Sequence, residues 1–180
     1  MALHTETPAE ERTMLQLRQS LQRALALTML GLLGGCSSAP PEDAAPDFEL
    51  KDTEGNSVRL ADLNGSVVLL DFWAVGCGPC RRTLPYLKAI HEKYGSRGLR
   101  ILAINAWNEP IADIKDFAAS MKMPYTILVE GRQVHRKVFN GSAVPMGILI
   151  DREGRKVYTY VGWDDERRRI LDRKLEELFK

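Results

Sequence analysis

The residues of this sequence best suited to chemistry are Cys77 and Cys80, which sit in the stretch Val68-Leu69-Leu70-Asp71-Phe72-Trp73-Ala74-Val75-Gly76-Cys77-Gly78-Pro79-Cys80. The chain holds three cysteines in all, the third being Cys36. No structural disulfide framework can be built from that number, so the pair is redox-active, metal-binding or incidental. An apolar strand ends and a helix begins at the pair. Pro79 suits the first helical turn, where its missing N–H costs little. Cys77 then stands at the helix N-terminus, where free amides and the dipole favour a thiolate. Cys80 follows about one turn later, close enough to bond back. The pattern predicts a dithiol in which Cys77 attacks a disulfide and Cys80 resolves the mixed disulfide. Arg81 and Arg82 add positive charge nearby. A zinc site needs about four ligands, and His91 and His135 lie in no recognisable ligand spacing, so no metal is expected. His91 is expected on the solvent face of the first helix.

The elements that must position this pair alternate between strand and helix. Phe48 to Leu50 and Ser57 to Leu60 flank Glu54-Gly55-Asn56 and read as a hairpin. Ser66 to Trp73 is nearly all apolar, as a strand buried on both faces should be. Asp71 within it is therefore expected to be buried. A helix over 79–94 follows, then a strand over 99–105. Ile111, Ile114, Phe117 and Ala118 lie at helical spacing over 111–121. Further expectations are a strand over 125–129, a short helix over 133–139, and strands over 146–150 and 156–161 around Asp151-Arg152-Glu153-Gly154. Asp164 can cap a last helix with Leu171, Leu175 and Leu178 on one stripe. Such alternation implies an α/β fold, a central mixed sheet flanked by helices, with an N-terminal β-hairpin.

Ahead of this domain, residues 1–36 read as an address. Ala24 to Leu33 is too short to span a membrane, which takes about 20 residues. Arg18 and Arg23 precede it and small residues follow, the layout of a secretory signal peptide. Met14 offers an alternative start with a shorter charged region. Residues 37–46, SSAPPEDAAP, read as a flexible Pro-rich tether, leaving 47–180 as the folded domain. The formal net charge of +1 over 180 residues gives no electrostatic argument for nucleic acid. Arg167-Arg168-Arg169 follows Asp164, Asp165 and Glu166 and reads as a solvated helix face.

Asp71-Phe72-Trp73-Ala74 followed by Cys77-Gly78-Pro79-Cys80, with Pro85 beyond, resembles the active-site segment of the thioredoxin superfamily. Pro46-Asp47-Phe48-Glu49-Leu50 and Leu60-Ala61-Asp62-Leu63 resemble its TlpA/ResA-like branch of exported, membrane-anchored thiol-disulfide oxidoreductases. The resemblance implies a thioredoxin-like fold and several roles. Asp71 is the buried carboxylate beneath the pair, taking the proton of Cys80. Pro145, in Ala143-Val144-Pro145, is the cis-proline opposite the disulfide, and the Val144 backbone pairs with an extended substrate. Trp73, Gly78 and Pro79 line the substrate side, and Glu109 matches an active-site carboxylate, although it also reads as a helix-start residue. Leu33-Gly34-Gly35-Cys36 resembles a bacterial lipobox, which implies lipidation of Cys36 and exposure to the periplasm or extracellular side. Two positions depart from the family. Gly76 stands where a Trp is usual, and Met146 where Thr is common.

No cofactor is expected beyond the Cys77–Cys80 disulfide. The resemblance implies protein disulfide substrates, a membrane dithiol as electron donor and a lipid-held membrane contact. Gly-Pro between the cysteines is thioredoxin's own dipeptide, and thioredoxin is reducing at about −270 mV. A disulfide reductase, with apocytochrome c maturation as one implied service, is therefore the expected activity. An oxidase or isomerase is the rival within the same chemistry. A copper chaperone would want a Cys-x-x-x-Cys pair, and a peroxiredoxin-type peroxidase a Pro-x-x-x-Thr-x-x-Cys setting that does not precede Cys77.

Overall fold

Val67–Trp73, VVLLDFW, is buried along its whole length and forms the central strand, β3. Because side chains alternate across a strand, its odd and even residues enter two separate cores. Val67, Leu69 and Trp73 join one that takes in Leu84, Leu87, Ile114, Phe117, Leu171 and Leu175. Val68, Leu70 and Phe72 join another with Phe48, Leu60, Val134 and Phe139. One strand thus carries both layers of the domain.

The computed structural model describes residues 41–180. In chain order they form β1 (Glu49–Lys51), β2 (Ser57–Arg59), a 3-10 turn (Leu60–Leu63), β3, and helix α1 (Gly78–Tyr94). Then come β4 (Leu99–Asn105), α2 (Ile111–Ser120), β5 (Thr126–Leu128), a π-helical turn (Val134–Val138), β6 (Met146–Ile150), β7 (Lys156–Val161) and α3 (Asp165–Leu178). β1 and β2 pair antiparallel as a separate hairpin. The main sheet has the order β5-β4-β3-β6-β7. β3 runs parallel to β4 and antiparallel to β6, so the sheet is mixed. This is a thioredoxin-like architecture with the expected N-terminal hairpin.

Local chemistry accounts for the ends of the elements. The Asp164 carboxylate caps α3 by accepting the Arg167 N–H at 2.9 Å. Pro85 lies inside α1 and deprives the Arg81 carbonyl of its intrahelical donor. One residue earlier, the Cys80 carbonyl accepts the Thr83 hydroxyl at 2.8 Å.

Four expectations change. The tether was expected over 37–46, but 43–46 is docked: Lys156 N–H donates to the Asp43 carbonyl at 2.8 Å and Ala45 N–H to Gly154 at 2.9 Å. Small alanines let this segment approach the β6–β7 turn and satisfy its free backbone groups. The short helix is a π-turn over Val134–Val138. Ile111 is exposed, while Ile114, Phe117 and Ala118 are buried, because the first residue of α2 lies beyond the edge of the core. His91 is half-buried, its ring 5.9 Å from that of Tyr125. Residues 1–36, the lipobox Cys36 and the 37–40 part of the tether lie outside the described residues. Among the described residues no helix is long and apolar enough to cross a membrane.

Candidate active site

The loop Ala74–Gly76 carries the chain from the end of β3 into α1, and Cys77 is the N-cap of that helix. Its sulfur accepts the Cys80 N–H at 3.1 Å, so a first-turn amide points at this atom. Cys77 and Cys80 are joined as a disulfide. Both are nearly buried, at 5% and 3% exposure, whereas Gly78 and Pro79 between them are exposed. The Gly78-Pro79 turn is thus the exposed part of the motif. Arg81 and Arg82 are exposed, and the Arg81 guanidinium lies over the Phe117 ring at 5.0 Å.

Beneath the pair, Trp73 is 2% exposed and stacks on Phe117 with ring centroids 5.1 Å apart. Two residues back along the same face of β3 is Asp71, 1% exposed. Neither of its carboxylate oxygens has a hydrogen-bond partner among the described residues. Burial alone raises its pKa from 3.8 to about 7, because desolvation penalises the charged form. Asp71 is paired across the sheet with Gly147, and Gly147 with Tyr160. A Cβ on Gly147 would lie 2.2 Å from the Tyr160 ring. The glycine therefore lets the phenol lie flat across β6, towards Asp71. Burial, and then the negative charge of Asp71, hold the Tyr160 hydroxyl well above its ordinary pKa of 10.0.

The peptide bond Val144–Pro145 is cis. Met146, the next residue, pairs with Phe72 at the end of β3, so the register brings Pro145 to the end of the sheet where the disulfide lies. The loop is held from both sides. Gly162 N–H donates to the Pro145 carbonyl at 2.8 Å. His135 Nε2 lies 3.2 Å from the Ala143 carbonyl, an acceptor only, so the proton of this imidazole is on Nε2. Burial keeps His135 below its usual pKa.

Glu109 reaches the same loop from the other direction. One carboxylate oxygen accepts Val75 N–H at 2.8 Å and the Asn105 side-chain amide at 2.6 Å, and the other accepts Gly76 N–H at 3.4 Å. Asn105, fully buried, in turn accepts the Glu109 N–H at 3.2 Å. Glu109 thus ties the β4–α2 connector to the residues immediately before Cys77, and caps no helix. Asn105, His135 and Tyr160 carry no sequence signal of their own. Only Gly147, a glycine inside an apolar strand, hints at a close approach.

This arrangement can exchange a dithiol for a disulfide, with a thiolate-favouring helix terminus, a buried carboxyl with a raised pKa on the strand leading into it, and a hydrogen-bonded cis-proline loop at the same end of the sheet. The AhpC/TSA family pattern matches residues 41–159. The chain is 34% identical over 111 residues to the thiol-disulfide oxidoreductase ResA of Geobacillus thermodenitrificans (strain NG80-2), covering 62% of this chain and 63% of that protein. It therefore spans under two thirds of that relative's length. It is 30% identical over 131 residues to ResA of Bacillus subtilis (strain 168), 73% of each chain. A crystal structure from Chlorobium tepidum, described as a DsbE-type thiol:disulfide interchange protein, superposes with a TM-score of 0.71 at 31% identity, covering 79% of this chain and all of that one.

Proposed function

The chain belongs to the AhpC/TSA family, among its ResA-like thiol-disulfide oxidoreductases, and from that premise we propose that it is an exported, membrane-tethered disulfide reductase of partner proteins. The observation that carries the activity is the Cys77–Cys80 disulfide at the N-terminus of α1, with Asp71 buried on the strand that leads into it. In the reduced state the Cys77 thiolate attacks one sulfur of a partner disulfide. A mixed disulfide forms and the partner's other sulfur leaves as a thiolate. Cys80 then gives its proton to Asp71 and attacks Cys77 Sγ, releasing the partner's first sulfur as a thiolate. The partner gains two electrons, and this chain ends oxidised. Glu109 holds the loop before Cys77 in place during both steps. The Val144 backbone beside cis-Pro145 pairs with the extended partner segment, and the exposed Gly78 and Pro79 face it. Trp73, expected on the substrate side, is instead 2% exposed and stacked on Phe117, so its role is to pack the core under the pair.

Gly78-Pro79 supports the reducing direction, since it is the dipeptide of a protein poised at about −270 mV. A reductase outside the cytosol must be recharged, and a membrane dithiol donor is the chemistry that does so. Apocytochrome c is a fitting partner class. Leu33-Gly34-Gly35-Cys36 supports tethering through a lipid on Cys36, facing the periplasm or extracellular side.

Equilibration of Cys77–Cys80 with thiol buffers tests the direction. A potential of about −250 mV or lower supports the reductase, and one at about −120 to −180 mV makes the protein an oxidase or isomerase. Release of the full chain from the membrane fraction by Cys36→Ser tests the tether. An unchanged membrane fraction refutes it.

A further inference from the structure

The large apolar residues left exposed among the described residues are Trp107, Ile111 and Val161, at 48%, 47% and 39%. All three lie at one end of the sheet. Trp107 and Ile111 follow the end of β4, which runs parallel to β3 and so ends where β3 leads into Cys77. Val161 ends β7 opposite Met146, the residue after cis-Pro145.

Trp107 is seated against the residue just before Cys77. A Cβ on Gly76 would lie 3.7 Å from its Cζ3, so the indole covers backbone that carries no side chain of its own. Beside it opens a cleft of about 310 Å³, lined among others by Trp107, Glu109, Arg132, His135, Arg136 and Ala143. Two of its polar groups are already engaged. Glu109 is held by backbone and Asn105 donors, and His135 by the Ala143 carbonyl. Arg132 and Arg136 are exposed and form no salt bridge among the described residues. Beside the engaged Glu109 carboxylate and the exposed Ser142, the cleft therefore offers a visitor an indole and two guanidinium groups that form no salt bridge among the described residues, two positive charges against one negative.

We propose that this cleft is the specificity subsite of the exchange reaction, taking a partner segment that carries an acidic side chain next to an apolar one beside its disulfide cysteine. The carboxylate meets Arg132 and Arg136, whose planar donors suit it. The apolar side chain lies against Trp107. The inference rests on the oxidoreductase reading and deepens it by naming the partner's chemistry. Trp107 and the two arginines act on the choice of partner, and the exchange steps stay with Cys77 and Cys80.

The test uses the reduced full chain and disulfide-linked peptides that differ only in having Glu-Leu or Lys-Leu beside the cysteine. Second-order rate constants are read by rapid mixing. The glutamate peptide is expected to react about five- to tenfold faster, with the preference shrinking in high salt. In the double variant Arg132→Gln, Arg136→Gln the ratio of the two rates falls towards one. Trp107→Ala slows the leucine peptides more than matched glycine peptides. Equal rates for the two charged peptides on the unaltered protein overturn the subsite without recourse to any variant, as does a preference that survives the double substitution. Hydroxyethyl disulfide, small and neutral, separates the two levels of the argument. If the unaltered chain reduces it but does not discriminate between the peptides, only the subsite falls. If it reduces neither it nor the peptides, the oxidoreductase reading falls and takes the subsite with it.

Discussion

Asp71→Asn probes the electrostatics under the disulfide without touching either sulfur. Burial raises the Asp71 carboxyl from 3.8 to about 7, and unfolding returns it to its ordinary value. Between those two values the unfolded chain has lost a proton that the folded chain keeps. Folding stability of the unaltered protein therefore falls as pH rises across that interval and stays lowered above it. At about 1.4 kcal/mol per pH unit, the full interval costs about 4 kcal/mol. The asparagine does not titrate, so whatever its unpaired buried amide costs is the same at every pH. The stability of Asp71→Asn relative to the unaltered protein should accordingly grow by about 3 kcal/mol between about pH 5 and about pH 9. Urea unfolding of the oxidised protein across that range measures it, because joined cysteines contribute no titration. Parallel stability curves would show that Asp71 does not carry a raised pKa in the fold, and the reasoning would fail. The same variant should slow Cys80's resolving step by about a hundredfold or more, most strongly above about pH 7, where the carboxylate is ready to accept a proton.

Glu109→Ala leaves the Val75 amide and the Asn105 side chain without their acceptor. It should cost about 1–3 kcal/mol per stranded donor in thermal unfolding and slow mixed-disulfide formation by releasing the loop before Cys77. Gly147→Ala drives a methyl into the buried Tyr160 ring and should destabilise the domain by about 1–3 kcal/mol, seen as a lowered urea midpoint. His135 is held below its ordinary pKa of 6.5 by burial. The unfolded chain therefore binds the proton first as pH falls, and stability is lost below about pH 6.5. His135→Phe keeps a ring against Phe72, removes that acid-side loss and releases the Ala143 carbonyl. Urea unfolding on both sides of about pH 6 checks this.

Much of the site was legible because its chemistry is local in the chain. Cys77, Pro79 and Cys80 sit on one helical turn, and that turn's free amides are a property of any helix start. The nearly all-apolar run of β3 marked a strand covered on both faces, and with it the burial of Asp71. The pairing of β6 with β7 followed from two strand-like segments on either side of the short polar turn Asp151-Arg152-Glu153-Gly154. The cis-proline position was legible only through resemblance, since an X–Pro bond seldom adopts that isomer without tertiary reasons.

Tertiary structure alone decided the long-range partnerships. Glu109 meets Val75 thirty-four positions away in the chain only because β4 lies parallel to β3 in a register that ends both strands together. Gly147 makes room for Tyr160, and His135 anchors Ala143, for the same reason: strand register sets which side chains share a face, and a shift of one residue would undo it. The docking of 43–46, where composition suggested a free tether, likewise depends on backbone groups of the distant β6–β7 turn. The sequence by itself determined which residues form the redox pair, since Cys77, Pro79 and Cys80 lie within one helical turn. Which residues hold, tune and expose that pair was decided by the sheet, because those contacts exist only between strands brought together by folding.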